Sequence, residues 1–353
     1  MNSIKVTGKG NISAAIIAHS KSAVDGKEII TYELEYHRFI HSELMTHRTF
    51  SRNAASSRAI PVSKMIDLVR TSPATPIHWG KNQAGMQANE ECNNDVSMDW
   101  DYHNDEPVHG TPEDAWAEAS SHAMYKAECF NEAGYHKQIT NRLLEPFQMI
   151  KVVVTATEWD NFFWLRFHKA AQPEIQELAR CMLVAKKRSV AEVLQVGEWH
   201  TPYVDHWRDE DGLKYILEDE DGQGFFCNIQ DALKVSASCC AQVSYRKTDD
   251  SLEKADKVWQ MLTTDDRIHS SPTEHQATPM EMVEWDYNYS ALDMTDTPNG
   301  YTHVGKDNKF WSNNFCGWIQ HRALITNNNC TTFDYDQEID ETGLVITGNK
   351  GTQ

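Results

Sequence analysis

The chain contains 353 residues with a formal net charge of -19, and hydrophobic residues make up 40% of it. This length and composition predict a folded protein with room for about two domains, and they exclude a disordered chain. No apolar run reaches the roughly 20 residues of a membrane span, and no apolar segment follows the N-terminal lysines as in a signal peptide. The eight cysteines form no C-x-x-C pair, which predicts reduced thiols and a cytoplasmic protein. The acidic balance argues against nonspecific binding to nucleic acid, although a local basic site for a small anion stays open.

The N-terminal half contains predicted strands followed by helices. Two β-prone apolar runs joined by Asp-Gly within residues 12–36 predict a hairpin. Apolar residues at helical spacing predict a helix within 37–50. Residues 71–112 are rich in Pro, Gly, Asn and Asp, which predicts a long surface insertion. Residues 113–145 are expected to be helical, with an interruption near Gly134.

The second half begins with a short strand or buried run, M-I-K-V-V-V-T at 149–155, and a helix is expected to carry W-D-N-F-F-W-L-R-F. Another helix is expected to begin at Pro173, because proline is favoured in the first turn. Acidic, Gly-containing residues 208–222 predict a break, and helices are predicted over 229–245 and 251–262. We expect the remaining C-terminal part to be rich in loops, apart from the aromatic segment N-F-C-G-W-I-Q-H-R.

One segment of this acidic chain is basic. Residues 46–58, T-H-R-T-F-S-R-N-A-A-S-S-R, contain three arginines, a histidine and no carboxylate. Small residues let a ligand approach the backbone, while serine hydroxyls, free amides and a guanidinium suit a phosphate. The alternative is a solvated basic loop that pairs with the acidic surface.

The basic segment resembles a motif of the flavin-dependent thymidylate synthases (ThyX), R-H-R-x-x-S-x-N-x-x-S-x-R. One residue departs from the motif, because Thr46 stands in place of the first Arg. The residues in register are His47, Arg48, Ser51, Asn53, Ser56 and Arg58.

Two further blocks resemble the same family. The second block comprises N-R-L-L-E-P at 141–146, N-F-F-W-L-R at 161–166 and A-Q-P-E-I-Q-E-L-A at 171–179. The alternative is an amphipathic helix pair whose aromatic residues are core, but this leaves Arg166 on an apolar helix face unexplained. The third block comprises S-A-S-C-C-A-Q-V-S and then H-S-S-P-T-E-H at 269–275, and in the family these elements precede R-H-R. The chain therefore resembles a circularly permuted member, which is physically reasonable because termini often lie close together at the surface.

The resemblance implies an α/β fold of the α+β kind, in which an antiparallel sheet forms the core with packed helices. It implies a nucleotide-binding core over 1–190 that contains the insertion 71–112, a permuted segment over 191–325 that completes the FAD site, and a tail over 326–353. We expect these parts to form one compact catalytic unit. Family members are homotetramers, so a homo-oligomer is expected here.

The resemblance also implies a reaction and its ligands. Family members bind dUMP, FAD and methylenetetrahydrofolate, with NADPH as reductant, and methylate C5 of the uracil, so no protein nucleophile is expected. The implied substrate-binding residues are Glu43, Ser56, Ser57, Arg58, Arg142 and Arg166. The implied cofactor-binding residues are His47, Arg48, Asn161, His269, Ser271 and Glu274. The implied catalytic residues are His47, Arg48 and Arg166. The charge of Arg166 would stabilise the developing enolate of the pyrimidine.

Most departures from the family lie on the expected cofactor side. Thr46 replaces an Arg, Thr155 and Thr157 replace an Asn and an Arg, and Ala170 replaces a His. The phosphate-binding set is intact. Nucleotide binding is therefore the more direct inference, and flavin binding depends on the third block.

Glu43 lies where the family often has Gln. An ionised carboxylate only accepts hydrogen bonds, which suits the exocyclic amine of cytosine, so Glu43 leads to the hypothesis of a preference for dCMP. The alternative is a helix-surface Glu that pairs with His47.

Two other functions stay open, namely folate-dependent hydroxymethylation of dUMP or dCMP, and nucleotide binding without catalysis. His37 and His41 have the spacing of a zinc pair, but without H-E-x-x-H we expect packed or surface histidines and no metal.

Overall fold

The structure is a computed structural model. It describes residues 4–85, 87–88, 90–101, 103–219, 221–244, 248–263, 268–284 and 298–329. Within these ranges the fold is α+β, with a mainly antiparallel central sheet and packed helices, which confirms the predicted fold class. Most of the predicted tail over 326–353 lies outside the described residues. No helix in the described ranges is long and apolar enough to cross a membrane.

The regular elements are as follows. The helices are α1 (His41–Met45), α2 (Val62–Thr71), α3 (Pro112–Glu132), α4 (Lys137–Thr140), α5 (Asp160–Arg166), α6 (Pro173–Arg188), α7 (Ile229–Ala241) and α8 (Leu252–Thr263). The strands are β1 (Ile4–Thr7), β2 (Ser13–Ser22), β3 (Glu28–His37), β4 (Ser51–Ala54), β5 (Val96–Asp101), β6 (Glu106–Gly110), β7 (Met149–Ala156), β8 (Glu192–Leu194), β9 (Asp205–Asp209), β10 (Gly212–Glu218), β11 (Gly224–Cys227), β12 (Ala277–Pro279), β13 (His303–Val304), β14 (Phe310–Ser312), β15 (Phe315–Cys316) and β16 (Trp318–Gln320).

The central sheet has the strand order β1-β2-β3-β7-β4, and all of these pairs are antiparallel. β8 adds a parallel partner to the end of β2. The turn between β2 and β3 confirms the predicted hairpin, since Gly26 adopts a φ of 76° that favours glycine. β4 belongs to the basic segment, and it pairs with β7 with Ser51 opposite Thr155. β7 therefore holds the basic segment at the edge of the sheet.

Alternating side chains of the sheet are buried in two layers. On one face, Tyr32, Leu34 and Val154 belong to the main core, which includes residues of α5 and α6. On the other face, Val153 packs with Cys240 of α7. Helices therefore cover one face of the sheet and part of the other.

The predicted helices are mostly confirmed. α3 begins with a capping box at Thr111 and Pro112 in its first turn, and it ends before Gly134, whose φ is 84°. α6 begins at Pro173 as predicted. The helix predicted within 37–50 is shorter, because only a 3-10 turn and the five residues of α1 form before the chain turns into β4.

The break predicted over 208–222 is wrong, because this stretch forms most of the β9–β10 hairpin. Its acidic residues mark the turns, while Leu213, Tyr215 and Leu217 alternate along β10 and pack towards α7 and α8. Residues 71–112 are mostly exposed, as predicted for a surface segment, and contain the β5–β6 hairpin. The described C-terminal part contains the five short strands β12 to β16 between loops.

Candidate functional site

Arg166, the last residue of α5, joins the first and second motif blocks. Its Nη1 donates a hydrogen bond to Glu43 Oε2 at 2.8 Å, and its Nη2 donates to Thr46 Oγ1 at 3.2 Å. Its Nε donates to His47 Nε2 at 3.0 Å. These partners lie on α1 or directly after it, between 119 and 123 residues away in the chain. The fold therefore brings together Glu43, His47 and Arg166, three of the predicted site residues.

An aromatic cluster supports this arrangement. Phe162 of α5 is buried and meets the His47 ring edge to face, with 5.0 Å between ring centroids. Phe50 packs against His47, Phe162 and Trp159, so the rings of both blocks form one layer of the core. The apolar face of α5 turns these rings inward and leaves Arg166 at the border of the core, where it reaches the end of α1.

The environment sets the charge of the groups around Arg166. Burial, followed by the charges of Arg166 and Arg52, lowers the pKa of His47 to about 4. The imidazole is therefore neutral near pH 7, and its Nε2 can accept from Arg166. Burial raises the pKa of Glu43, although Arg166 opposes this shift, and the charge of Glu174 adds to it. Glu43 and His47 each bind Arg166, so the alternative that pairs Glu43 with His47 is wrong.

Arg52 has a role that sequence reasoning missed. Its Nη1 donates to the carbonyl oxygens of Met45 and His47, both at 3.1 Å. These carbonyl groups lie at the C-terminal end of α1, where a cation is favourable. Arg52 therefore stabilises the turn that carries His47. The available signal was an arginine shortly after a very short helix.

The predicted phosphate-binding loop contacts both other motif blocks. The Ser56 amide donates to Ser244 Oγ at 2.9 Å, and the Arg58 amide donates to Ser56 Oγ at 3.3 Å. Asn141 Nδ2 donates to the Ser57 carbonyl oxygen at 2.7 Å and to a second carbonyl of the same loop at 2.9 Å. Ser57 itself is only 4% exposed, so it lies beneath the loop surface. Asn141 is the residue that positions this loop, although the sequence motif suggested a role only for its neighbour.

The cations predicted for the phosphate are exposed. Arg58 makes no side-chain hydrogen bond or ion pair within the described residues, and the same holds for Arg48, which the resemblance assigns to the cofactor. Arg142 Nη1 donates to Glu145 Oε1 at 2.8 Å, and the same oxygen accepts from Arg38 Nη2 at 3.0 Å. No hydrogen bond or ion pair in the described ranges joins Arg58 or Arg142 to Arg166.

The third block lies beside the first. The 3-10 turn Ser271–Glu274 contacts β4. Gln320 Nε2 donates to the Glu274 carbonyl oxygen and to Ser51 Oγ, both at 3.1 Å. Arg322 forms an ion pair with the Glu274 carboxylate. The third block is therefore held against β4, the strand that follows His47, although it is far from the first block in the sequence.

Gln320 and Arg322 were missed by sequence reasoning, which treated N-F-C-G-W-I-Q-H-R only as an aromatic segment. The signal was the polar Q-H-R that follows its apolar residues. The remaining predicted cofactor residues, Asn161, His269 and Ser271, are exposed. None of these three makes a side-chain hydrogen bond within the part of the chain that the structure describes.

Two of the departures from the family motif lie in the interior. Thr155 Oγ1 forms hydrogen bonds with Thr31 Oγ1 at 2.7 Å and with His275 Nδ1 at 2.8 Å. Thr157 Oγ1 accepts from the Cys316 amide at 3.0 Å. Thr155 and Thr157 are both buried, so they satisfy polar groups of the core and do not face a surface site.

The two histidines with the spacing of a zinc pair both form hydrogen bonds within the fold. His37 Nε2 forms a hydrogen bond with the Gly10 carbonyl oxygen, and His41 Nδ1 with the Tyr36 hydroxyl, both at 2.8 Å. No cluster of three or more metal-ligating side chains occurs in the described ranges.

No family model and no curated protein matches the chain. The assignment of a function therefore depends on the three motif blocks and on the contacts among them.

Proposed function

We propose that the protein is a flavin- and folate-dependent enzyme that methylates C5 of a pyrimidine deoxynucleoside monophosphate, converting dUMP to dTMP. The observation that carries this proposal is the contact of Arg166 with Glu43 and His47, because it joins two separate motif blocks in one polar cluster. The position of Ser271–Glu274 beside β4 supports the same proposal.

Arg166 is the residue to which we assign the electrostatic role. Hydrogen bonds to Glu43, Thr46 and His47 fix the position of its guanidinium. Charge that is fixed in advance stabilises a transition state without reorganisation, and a pyrimidine whose C5 is activated as an enolate carries negative charge on an exocyclic carbonyl oxygen. A pyrimidine that accepts from Arg166 would compete with the carboxylate of Glu43 for the same guanidinium.

The loop around Ser56 would hold the nucleotide phosphate. The hydroxyl of Ser56 and the uncommitted guanidinium of Arg58 are on the same short loop, which Asn141 fixes from below. Arg142 would add a second cation by exchanging the carboxylate of Glu145 for the phosphate.

The resemblance assigns a set of exposed polar residues to a bound flavin. Arg48, Asn161, His269 and Ser271 offer donors that have no side-chain partner within the described residues, whereas Glu274 is engaged by Arg322. FAD would supply hydride, with NADPH as its reductant, and methylenetetrahydrofolate would supply the one-carbon unit. The residues of this chain would hold and orient the ligands, as a homo-oligomer if the resemblance extends to assembly.

Glu43 favours a second candidate function, methylation or hydroxymethylation of dCMP. A carboxylate close to the pyrimidine would accept from the exocyclic amine of cytosine, for which uracil has only a carbonyl oxygen. Hydroxymethylation needs water in place of hydride.

The test is to incubate the purified protein with dUMP or dCMP, methylenetetrahydrofolate and FAD, with and without NADPH, and to measure product masses. Methylated dUMP that requires NADPH supports the proposal. A hydroxymethyl or cytosine product supports the second candidate. A nucleotide that binds but keeps its mass and its C5 proton overturns both, in favour of non-catalytic binding.

A matched pair of variants tests the role of Arg166. Arg166→Ala should lower turnover by about 10²- to 10³-fold, the usual effect of removing one preorganised transition-state donor. Arg188→Ala, at an exposed position of α6, should leave turnover unchanged. Equal turnover in the two variants, with unaltered thermal unfolding, contradicts the assignment of Arg166.

A further inference from the structure

A cavity of about 920 Å³ lies between the surface insertion and the start of α6. Its walls include Pro76 and Ile77 of the insertion, and Gln172 and Pro173 at the start of the helix. The volume is in the range of small-molecule sites. We propose that this cavity binds a flat aromatic ligand with a carboxylate-bearing tail.

Buried hydrogen bonds fix the insertion against the rest of the fold. Glu174 is 3% exposed, and it accepts from the Ile77 amide at 3.0 Å and from Gln172 Nε2 at 3.1 Å. Trp116 Nε1 donates to the Ala74 carbonyl oxygen at 2.9 Å. These bonds hold the wall in one arrangement, so binding needs little ordering of the chain.

Aromatic side chains give the cavity a surface for a flat ring. Phe39, Trp116 and Phe167 all line it. Phe39 and Trp116 meet edge to face, with 6.4 Å between centroids. Phe167 is 50% exposed, so a flat apolar group in the cavity would cover its ring and remove apolar surface from water.

The uncommitted charges of the lining are positive. Glu177 is bound by Arg180, and Glu174 accepts from the Ile77 amide and from Gln172. Glu91 Oε1 lies 3.2 Å from His78 Nδ1. Lys9 and Lys169 also line the cavity, and their ammonium groups form no hydrogen bond or ion pair within the described residues, although the charge of Lys9 acts on Glu177. Free cations beside engaged carboxylates favour a ligand with negative charge, which points to carboxylates at the open side of the cavity.

The cavity adjoins the proposed active site. Phe167 directly follows Arg166, and Glu174 is close enough to Glu43 for its charge to affect the titration of Glu43. A one-carbon donor of the folate type contains a p-aminobenzoyl ring and a glutamate tail, which is this ligand chemistry. The identity of the natural ligand rests on the proposed function, whereas the aromatic and cationic lining does not.

Titration calorimetry of the full chain with p-aminobenzoyl-glutamate and p-aminobenzoyl-triglutamate tests the proposal. We expect saturable binding that is tighter for the triglutamate. The double variant Lys9→Glu/Lys169→Glu should weaken triglutamate binding by roughly tenfold, as expected for two exposed ion pairs. Lys187→Glu, an exposed position of α6 outside the lining, is the matched control and should bind as the wild type. Ala170→Trp places a ring in the cavity and should abolish binding of both probes.

Absence of probe binding to the wild type overturns the proposal. So does an affinity that the two lysine substitutions leave unchanged, or one that survives Ala170→Trp. The nucleotide assays separate this result from the proposed function. Turnover of dUMP without probe binding overturns the cavity assignment alone, while lysine-dependent probe binding without any nucleotide product overturns the proposed function alone.

Discussion

The carboxylate of Glu145 accepts a hydrogen bond from Arg142 at 2.8 Å, one helical turn earlier in the chain. The same oxygen accepts from Arg38 at 3.0 Å, so Glu145 keeps its ion pair with Arg38 when Arg142 moves away. Arg142 can therefore turn to a nucleotide phosphate without leaving the carboxylate unpaired. Glu145 and the phosphate compete for the same guanidinium.

Removing that competition should tighten nucleotide binding. Glu145→Gln weakens the hold on Arg142 while preserving size, so the dissociation constant of dUMP should fall by roughly two- to fivefold, the effect of an exposed ion pair. Calorimetric titration measures this change, and Glu253→Gln, an exposed acid of α8, serves as control. Weaker binding in Glu145→Gln would show that Glu145 positions Arg142 instead of competing for it.

A substitution of Glu43 should change the preference of the protein between dUMP and dCMP. Glu43→Gln restores a group that both donates and accepts, so the ratio of kcat/KM for dUMP over dCMP should rise. Loss of the partly buried pair with Arg166 should also lower the free energy of unfolding by about 1 kcal/mol, after allowance for solvent screening. Steady-state kinetics with both nucleotides measures the ratio. An unchanged ratio would sink the hypothesis that Glu43 reads the base.

Acid should destabilise the fold through its buried histidines. The pKa of His47 is lowered to about 4 and that of His275 to about 3, in both cases mainly by burial, from the ordinary value of 6.5. Between these values and 6.5 the unfolded chain binds more protons than the folded chain. The free energy of unfolding should therefore be highest above about pH 6.5 and decrease as the pH falls towards about 4.

Urea unfolding across this pH range measures the effect. His47→Gln should reduce the dependence of the free energy of unfolding on pH. The exposed control His168→Gln should leave that dependence as in the wild type. A slope that is identical in His47→Gln and the wild type would show that His47 is protonated alike in the folded and unfolded states.

Thr155 should matter for stability and not for ligands. Thr155→Val removes a hydroxyl that bonds to both Thr31 and His275, which leaves a buried nitrogen without a partner at a cost of about 1–3 kcal/mol. Chemical denaturation should show this loss, while the dissociation constants of dUMP and FAD stay at their wild-type values. Weaker FAD binding by folded Thr155→Val would show that Thr155 contributes to the cofactor site.

Much of the local structure could be predicted from the sequence. The Asp25-Gly26 turn, the start of α6 at Pro173 and the interruption at Gly134 follow from residues whose backbone preferences act locally. The β9–β10 hairpin was not predicted, because its acidic turns hid the alternation of Leu213 and Tyr215. That alternation becomes informative only once α7 and α8 supply a surface to pack against.

The sequence by itself determined the residue types of the basic segment and the two blocks that resemble the same family, because spacing along the chain is a property of the chain. The tertiary structure determined which side chains the residues of these blocks contact. Glu43 pairs with Arg166 across 123 residues, and Arg322 pairs with Glu274, because the sheet register and the burial of aromatic rings set which side chains meet. The same burial turned Thr155 inward. Sequence spacing fixes which residues of a strand share a face, but it does not say what covers that face, and the cover separates a core residue from a site residue.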